Sequence, residues 1–203
     1  MKIVIVDYGS GNLRSVQKGF ERAGYAAVIA SDPKVVSDAS HLVVPGVGAF
    51  PECMKNLDAL HLLKPITDSI QAGKPYLGIC LGLQILFTEG MEFGSHPGID
   101  LVPGQVIRFP ENELKVPHMG WNQIRIEKKH PVLEGIPDGA YFYFVHSYYG
   151  APKKNDRVTT TTDYGVRFPS SIAHENIFAC QFHPEKSQKM GLQILANFAK
   201  MKS

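Results

Sequence analysis

Cysteine is scarce. Cys53, Cys80 and Cys180 are the three in 203 residues, an odd and widely spaced set that supports neither a disulfide framework nor paired C-x-x-C metal knuckles. Long apolar runs are missing as well, since none approaches the ~18 residues of a membrane span. The opening MKIVIVDYGSGN meets a charge too soon for a secretory h-region, so a cytoplasmic location is expected. Charge of one sign is also lacking. Lys and Arg number 21 against 19 Asp and Glu, for a net charge of +2 with no like-charged block, which argues against nucleic acid and membrane as partners. None of the 8 histidines falls in an H-E-x-x-H or other metal spacing, so no metal is expected, and no cofactor either. Gly9-Ser-Gly11 follows an apolar strand, but Arg14 stands where a dinucleotide fingerprint needs its third glycine; a tight strand-to-helix turn accounts for it.

What is present suits one compact domain over residues 1–203, with 44% hydrophobic and 20% charged residues. Lys2 to Asp7 is a β-branched strand, followed by a helical pattern from Asn12 to Ala23 with Leu13, Val16 and Phe20 on one face. Further strands are expected at Ala26 to Ala30, His41 to Val44 and Tyr76 to Ile79. Helix is expected over most of Phe50 to Gln71, interrupted around Pro65, and again after Leu81. Apolar strands alternating with helices imply an α/β fold with a mostly parallel, doubly wound sheet and flanking helices. After about Gly94 the texture turns to short strands, at Leu101 to Phe109, Val116 to Glu127, Tyr141 to Tyr149, Val158 to Thr162 and Ser171 to His174. This C-terminal half reads as additional antiparallel strands. Ile177 to Phe182 returns to a buried strand, and an amphipathic helix over Ser187 to Lys200 closes the chain.

Three segments carry chemistry. Gly78-Ile-Cys80-Leu-Gly82 is the cysteine analogue of the G-x-S-x-G elbow, whose flanking glycines permit a strained turn that lifts a nucleophile to the top of the sheet. A helix N-terminus there favours thiolate and aims the Leu81 N–H at a developing oxyanion. The plainer alternative is a buried cysteine that packs. His183-Pro-Glu185 follows the last strand, and residues i and i+2 of an extended segment face the same way. His183 could take the Cys80 proton while Glu185 orients the imidazole; the alternative is a solvated surface pair. Pro45-Gly-Val-Gly48 ends the third strand, where a parallel sheet presents its active edge. Gly46 and Val47 read as the second half of an oxyanion hole and Gly48 as a substrate contact, against an ordinary turn. Tyr141-Phe-Tyr-Phe144 reads as strand packing, Cys180 as a packing thiol near the site, and Trp121, flanked by Gly120, as an exposed interface residue.

Taken with Asp7 to Ser15, Pro117-His-Met-Gly-Trp-Asn122 and Phe144-Val-His-Ser147, these motifs make the chain resemble the class I, triad-type glutamine amidotransferases over essentially its whole length. The resemblance implies hydrolysis of glutamine to glutamate and ammonia, with Cys80 as nucleophile, His183 as general acid/base and Glu185 as its orienter. It further implies a heterodimer in which a (β/α)8-barrel cyclase subunit uses the ammonia to make imidazole glycerol phosphate and an aminoimidazole carboxamide ribotide in histidine biosynthesis. Gln84, Glu92 and the backbone of Ser147 and Tyr148 are then glutamine contacts, and Asn12, Trp121, Tyr143 and Lys186 lie near the partner face. A cysteine hydrolase or peptidase on the same general fold, an idle docking module, and a glutaminase subunit of another pathway are the competing readings.

Overall fold

The computed structural model describes residues 1–111 and 114–202. Its elements run β1 (Ile3–Val6), α1 (Leu13–Arg22), β2 (Ala27–Ala30), α2 (Pro33–Ser37), β3 (His41–Gly46), α3 (Phe50–Ala59), α4 (Leu63–Gln71), β4 (Tyr76–Cys80) and α5 (Leu81–Gln84). They continue with β5 (Phe87–Gly90), β6 (His96–Pro97), β7 (Val102–Arg108), β8 (His118–Gln123), β9 (Arg125–Ile126), β10 (Tyr141–His146), β11 (Tyr148–Pro152), β12 (Val158–Asp163), β13 (Arg167–His174), β14 (Ile177–Cys180) and α6 (Gln188–Ala199).

The main sheet has eight strands in the order β2-β1-β3-β4-β14-β13-β12-β9. From β2 to β14 every pairing is parallel, and from β14 to β9 every pairing is antiparallel. The inner parallel strands β1, β3, β4 and β14 are buried along their whole length and, His41 apart, apolar or small, because both their faces are covered, whereas the edge strand β2 leaves Val28 exposed. In β1, Ile3 and Ile5 join Val16 and Phe20 of α1 and Leu195 and Phe198 of α6. Val4 and Val6, one residue out of phase, join Leu57 of α3 and Ile66 and Ile70 of α4 on the opposite face. Period-2 alternation thus divides one run of sequence between two cores.

Four expectations change. The break in Phe50 to Gln71 falls at Leu60 to Leu62, where His61 has φ 55, and Pro65 lies inside the first turn of α4, where its missing N–H removes no intrahelical bond. The helix after the elbow is one turn long, because Ile85, Leu86 and Phe87 are all fully buried and leave no polar face for a surface helix. Val116 to Glu127 divides into β8 and β9, since Ile124 turns into the core with its N–H on Ala140 O. Tyr141 to Tyr149 divides at Ser147: β10 pairs with β8 in a two-stranded ribbon, and β11 joins a separate sheet, β11-β7-β5-β6.

Candidate active site

β4 lies between β3 and β14 and ends on Cys80, whose backbone has φ 56 and ψ −104. A side chain in that region costs about 1–3 kcal/mol and persists only where the surroundings over-determine it. The flanking glycines supply that determination. A Cβ on Gly82 would overlap the Val44 carbonyl, and one on Gly78 would overlap the Gly82 carbonyl, so strand and return turn touch backbone to backbone. Register sets Gly46 of β3 beside Cys80. Because α5 is a single turn, little macrodipole acts on the thiol; the backbone N–H groups at its start are what the elbow offers.

Beyond β14 the chain is held against β10. His183 N donates to Tyr143 O at 2.9 Å; Ser187 Oγ donates to His183 O at 2.6 Å and accepts from Tyr143 N at 3.0 Å. His183 is extended, but Pro184–Lys186 forms a 3₁₀ turn. Glu185 therefore meets His183 by coming round a turn, not by strand alternation. Its Oε1 lies 2.8 Å from His183 Nδ1, with the two side chains 1% and 2% exposed. Burial works to lower the His183 pKa, yet the contacts with Cys80 and Glu185 override it and raise the value to about 10. With the carboxylate on Nδ1, Nε2 is the nitrogen left to exchange a proton. Neither Nε2 nor Glu185 Oε2 has a hydrogen-bond partner among the described residues.

Cys80 opens on a cavity of about 350 Å³ lined also by Val47, Gly48, Leu81, Gln84, Glu92, Pro117, Val145, His146, Ser147, Tyr148 and Lys186. Gly46 is absent from this lining; it backs the turn, where a Cβ would strike the Tyr8 hydroxyl. Ser10 Oγ donates to Val47 O at 2.6 Å, which fixes the direction of the Val47–Gly48 peptide. Glu92 has a structural duty too, since its Oε2 accepts from Phe50 N at 2.8 Å at the start of α3. Gln84 is buried, and its Nε2 donates to Tyr148 O at 2.9 Å and Gln181 Oε1 at 3.1 Å. Gln181 Nε2 in turn donates to Cys80 Sγ at 3.4 Å. Sequence reasoning passed over Gln181; a single amide inside the apolar run Ile177 to Phe182 was the available signal. The other thiols are poorer nucleophiles: burial pushes Cys53 up to about 12 and raises Cys180 well above its ordinary value.

Next to this cavity the β8-β10 ribbon presents an apolar outer face. Met119, Trp121 and Tyr141 are 62%, 47% and 54% exposed, while Phe142 and Phe144 are buried. The aromatic run is thus packing on one face only. Trp121 and Tyr143 meet edge to face at 6.3 Å, and Lys186 Nζ lies 5.5 Å over the Tyr143 ring. Asn12 precedes α1, which packs on the Pro184–Lys186 turn. Among the described residues, no group of three or more His, Cys, Asp or Glu is placed to hold a metal, and no helix is long and apolar enough to cross a membrane.

The class that this fold and site define has a counterpart among known families: the model described as Glutamine amidotransferase class-I matches residues 4–201. The chain is 53% identical over 207 residues to the imidazole glycerol phosphate synthase subunit HisH of Geobacter sulfurreducens, covering 99% of each. It is 54% identical over 205 residues to the subunit of the same name from Syntrophotalea carbinolica, covering 98% of this chain and 100% of the relative. In structure it matches PurLQS from Thermotoga maritima with a TM-score of 0.77 over 98% of this chain and 97% of the other, at 15% identity, a likeness of fold alone. The chain belongs to the class I glutamine amidotransferases, and within them to the HisH subunit family.

Proposed function

We propose that the chain hydrolyses glutamine at Cys80 and passes the ammonia to a (β/α)8-barrel cyclase subunit that makes imidazole glycerol phosphate and an aminoimidazole carboxamide ribotide. The observation that carries this is a strained elbow thiol on a 350 Å³ cavity with a buried His183–Glu185 pair beside it. The Cys80 sulfur attacks the glutamine carboxamide carbon with its proton held on His183 Nε2, an imidazole that stays protonated at neutral pH because its value is raised to about 10. His183 returns that proton to the departing nitrogen, releasing ammonia and leaving a thioester. Water, deprotonated by His183, attacks the thioester and yields glutamate with the thiol restored. Glu185 fixes the tautomer and balances the imidazolium, and the Leu81 N–H with the Gly46-Val47 turn stabilises the oxyanion. Residues 1–203 act as one domain in the cytoplasm, and the reaction needs no metal or cofactor from this chain.

A partner is required because ammonia released to water at neutral pH becomes ammonium and loses its nucleophilicity. The ribbon face with Trp121 and Tyr143 suits that partner, since an exposed aromatic patch beside a cavity mouth is an interface signature. Lys186 belongs to the cavity wall and to this face, and Asn12 extends the face toward α1. Glycines on both sides of Val47 leave the Ser10 hydrogen bond to Val47 O as the main restraint on its peptide, so turning it costs about one hydrogen bond, and one oxyanion donor is worth about 10²–10³ in rate. The isolated subunit is therefore a poor glutaminase that docking switches on. Steady-state glutaminase assays of the chain alone, with cyclase, and with cyclase plus its nucleotide ligand test this: rates should rise in that order. Three equal rates would end the switching reading, and no hydrolysis in any would end the glutaminase reading.

A further inference from the structure

The cavity wall from Val145 to Tyr148 lies where the chain leaves one sheet for another at Ser147. Backbone contacts hold Ser147, whose carbonyl accepts from Phe109 N at 3.1 Å, and the carbonyl of Tyr148 is held by side chains. Tyr148 O accepts from Gln84 Nε2 and stands 2.8 Å from His146 Nδ1. His146 Nε2 stands 2.9 Å from His118 Nδ1, and His118 Nε2 stands 3.2 Å from Asn122 Nδ2.

The proton positions along this row follow from its two ends. A carbonyl oxygen accepts only, so His146 must donate from Nδ1, and in a neutral ring its Nε2 then accepts. His118 must therefore donate from Nδ1 and accept at Nε2. The far end gives the same answer independently. Asn122 Oδ1 accepts from Gln123 N at 2.8 Å and its Nδ2 donates to Asp163 O at 3.0 Å, so the amide is oriented with Nδ2 toward His118, again making His118 Nε2 an acceptor. A proton added to either ring would set two N–H groups against each other. Burial opposes that proton too, lowering His118 to about 4 and His146 to about 3. The His118 ring is clamped by stacking on Tyr164 at 4.0 Å and Phe144 at 4.9 Å.

We propose that His118 and His146 are positioning residues for the glutamine site: two neutral imidazoles, each locked in the Nδ1–H tautomer, that pin the Ser147–Tyr148 corner so that its backbone can receive the substrate. This rests on the glutamine reading of the cavity. A backbone wall that recognises a small polar ligand must be held within a fraction of an ångström, and second-layer hydrogen bonds do the holding. The order of the row matters. Removing His118 leaves His146 Nε2 a buried acceptor with no donor, while Tyr148 O still holds the proton on Nδ1, so the ring loses one of the two contacts that fix its position.

The test uses the full chain carrying Cys80→Ala, so that glutamine binding is read by calorimetry without turnover. His118→Phe keeps the stacking and removes the donor; His146→Phe removes the pin. Each should raise the glutamine Kd about tenfold, as expected when a buried hydrogen-bonding group loses its partner. Asn at either position sets its Nδ2 near the lost Nδ1 and should return Kd to within about threefold. Nitrogen-15 NMR of the unsubstituted chain should find both rings neutral and protonated at Nδ1, and His118→Phe should leave His146 protonated at Nδ1 while shifting its Nε2 resonance as that lone pair loses its donor. Unchanged Kd in both Phe variants, or an Nε2–H tautomer on either ring of the parent, overturns the proposal; if the Phe variants fail to fold, the tautomers of the parent decide. A Cys80→Ala chain that binds no glutamine at all refutes instead the reading of the cavity on which the proposal stands.

Discussion

Two walls of one cavity are built on opposite terms. The wall carrying Cys80, with the His183–Glu185 pair buried behind it, ends the parallel strands, holds a non-glycine residue at φ 56, and leaves His183 Nε2 and Glu185 Oε2 without a partner among the described residues. Across the cavity, the wall from Val145 to Tyr148 is backed by the row from Asn122 through His118 and His146 to Tyr148 O, in which the ring nitrogens face a partner at every step. One histidine, His183, is raised to about 10 and another, His146, lowered to about 3, although the two are near enough for the charge on His183 to help lower His146. In the proposed assignment, reactivity goes with unsatisfied groups and strain, and recognition with satisfied groups and fixed geometry.

The largest effect that sharpens this contrast is on turnover. Cys80→Ala should lower glutamine hydrolysis by about 10⁴- to 10⁶-fold, while glutamine binding, which depends on the opposite wall, changes by no more than a few fold. Hydrolysis near the wild-type rate would remove Cys80 from the reactive wall. Next comes selectivity among thiols. A γ-electrophilic glutamine analogue should label Cys80 in preference to Cys53 and Cys180 by at least about 10³-fold, because burial holds the latter two as thiols. Peptide mapping that finds the adduct on Cys180 would overturn the assignment.

Stability supplies two smaller effects. Gly82→Ala forces a methyl into the Val44 carbonyl and should cost about 3 kcal/mol, or about 10²-fold in the folding equilibrium; a melting temperature within a degree or two of wild type would contradict the backbone contact described. Titration should then separate the walls by the sign of their slopes. His183, raised above its ordinary 6.5, contributes stability that is complete below that value and is lost as pH rises toward 10. His118 and His146 are lowered, so their contribution is complete above 6.5 and is lost as pH falls toward 4 and 3. In denaturant unfolding across pH 4 to 10, His183→Gln should flatten the alkaline limb and His118→Phe the acid limb. A variant that flattens the opposite limb breaks the comparison.

The Cys80 elbow and the His183–Glu185 contact were legible because their demands are local. Two glycines around a cysteine, and a proline between histidine and glutamate, are short-range requirements that a one-dimensional reading captures. The inner parallel strands were legible for a similar reason, since burial on both faces leaves a nearly unbroken apolar run. The recognition wall was not. His118 and His146 lie 28 positions apart, and their pairing exists only through the antiparallel register of β8 and β10. The corner at Ser147 was hidden by the continuous aromatic run around it. The short α5 was misjudged because an apolar segment after an elbow fits a buried turn as well as a helix, and periodicity alone does not separate them.

The backbone contact between Val44 and Gly82 also bears on how this gene can decay. Any missense change in a glycine codon adds at least a methyl group, and Gly78 and Gly82 have no space for one. Selection for a chain that merely folds would therefore keep both glycines after selection for catalysis had ceased. The thiol has no such protection, because a serine or alanine fits where Cys80 stands. A duplicated copy drifting toward a docking or regulatory role would lose Cys80 first and carry the two glycines on as a scar of its ancestry. The elbow glycines date the fold of such a copy, and the residue between them reports whether it still works.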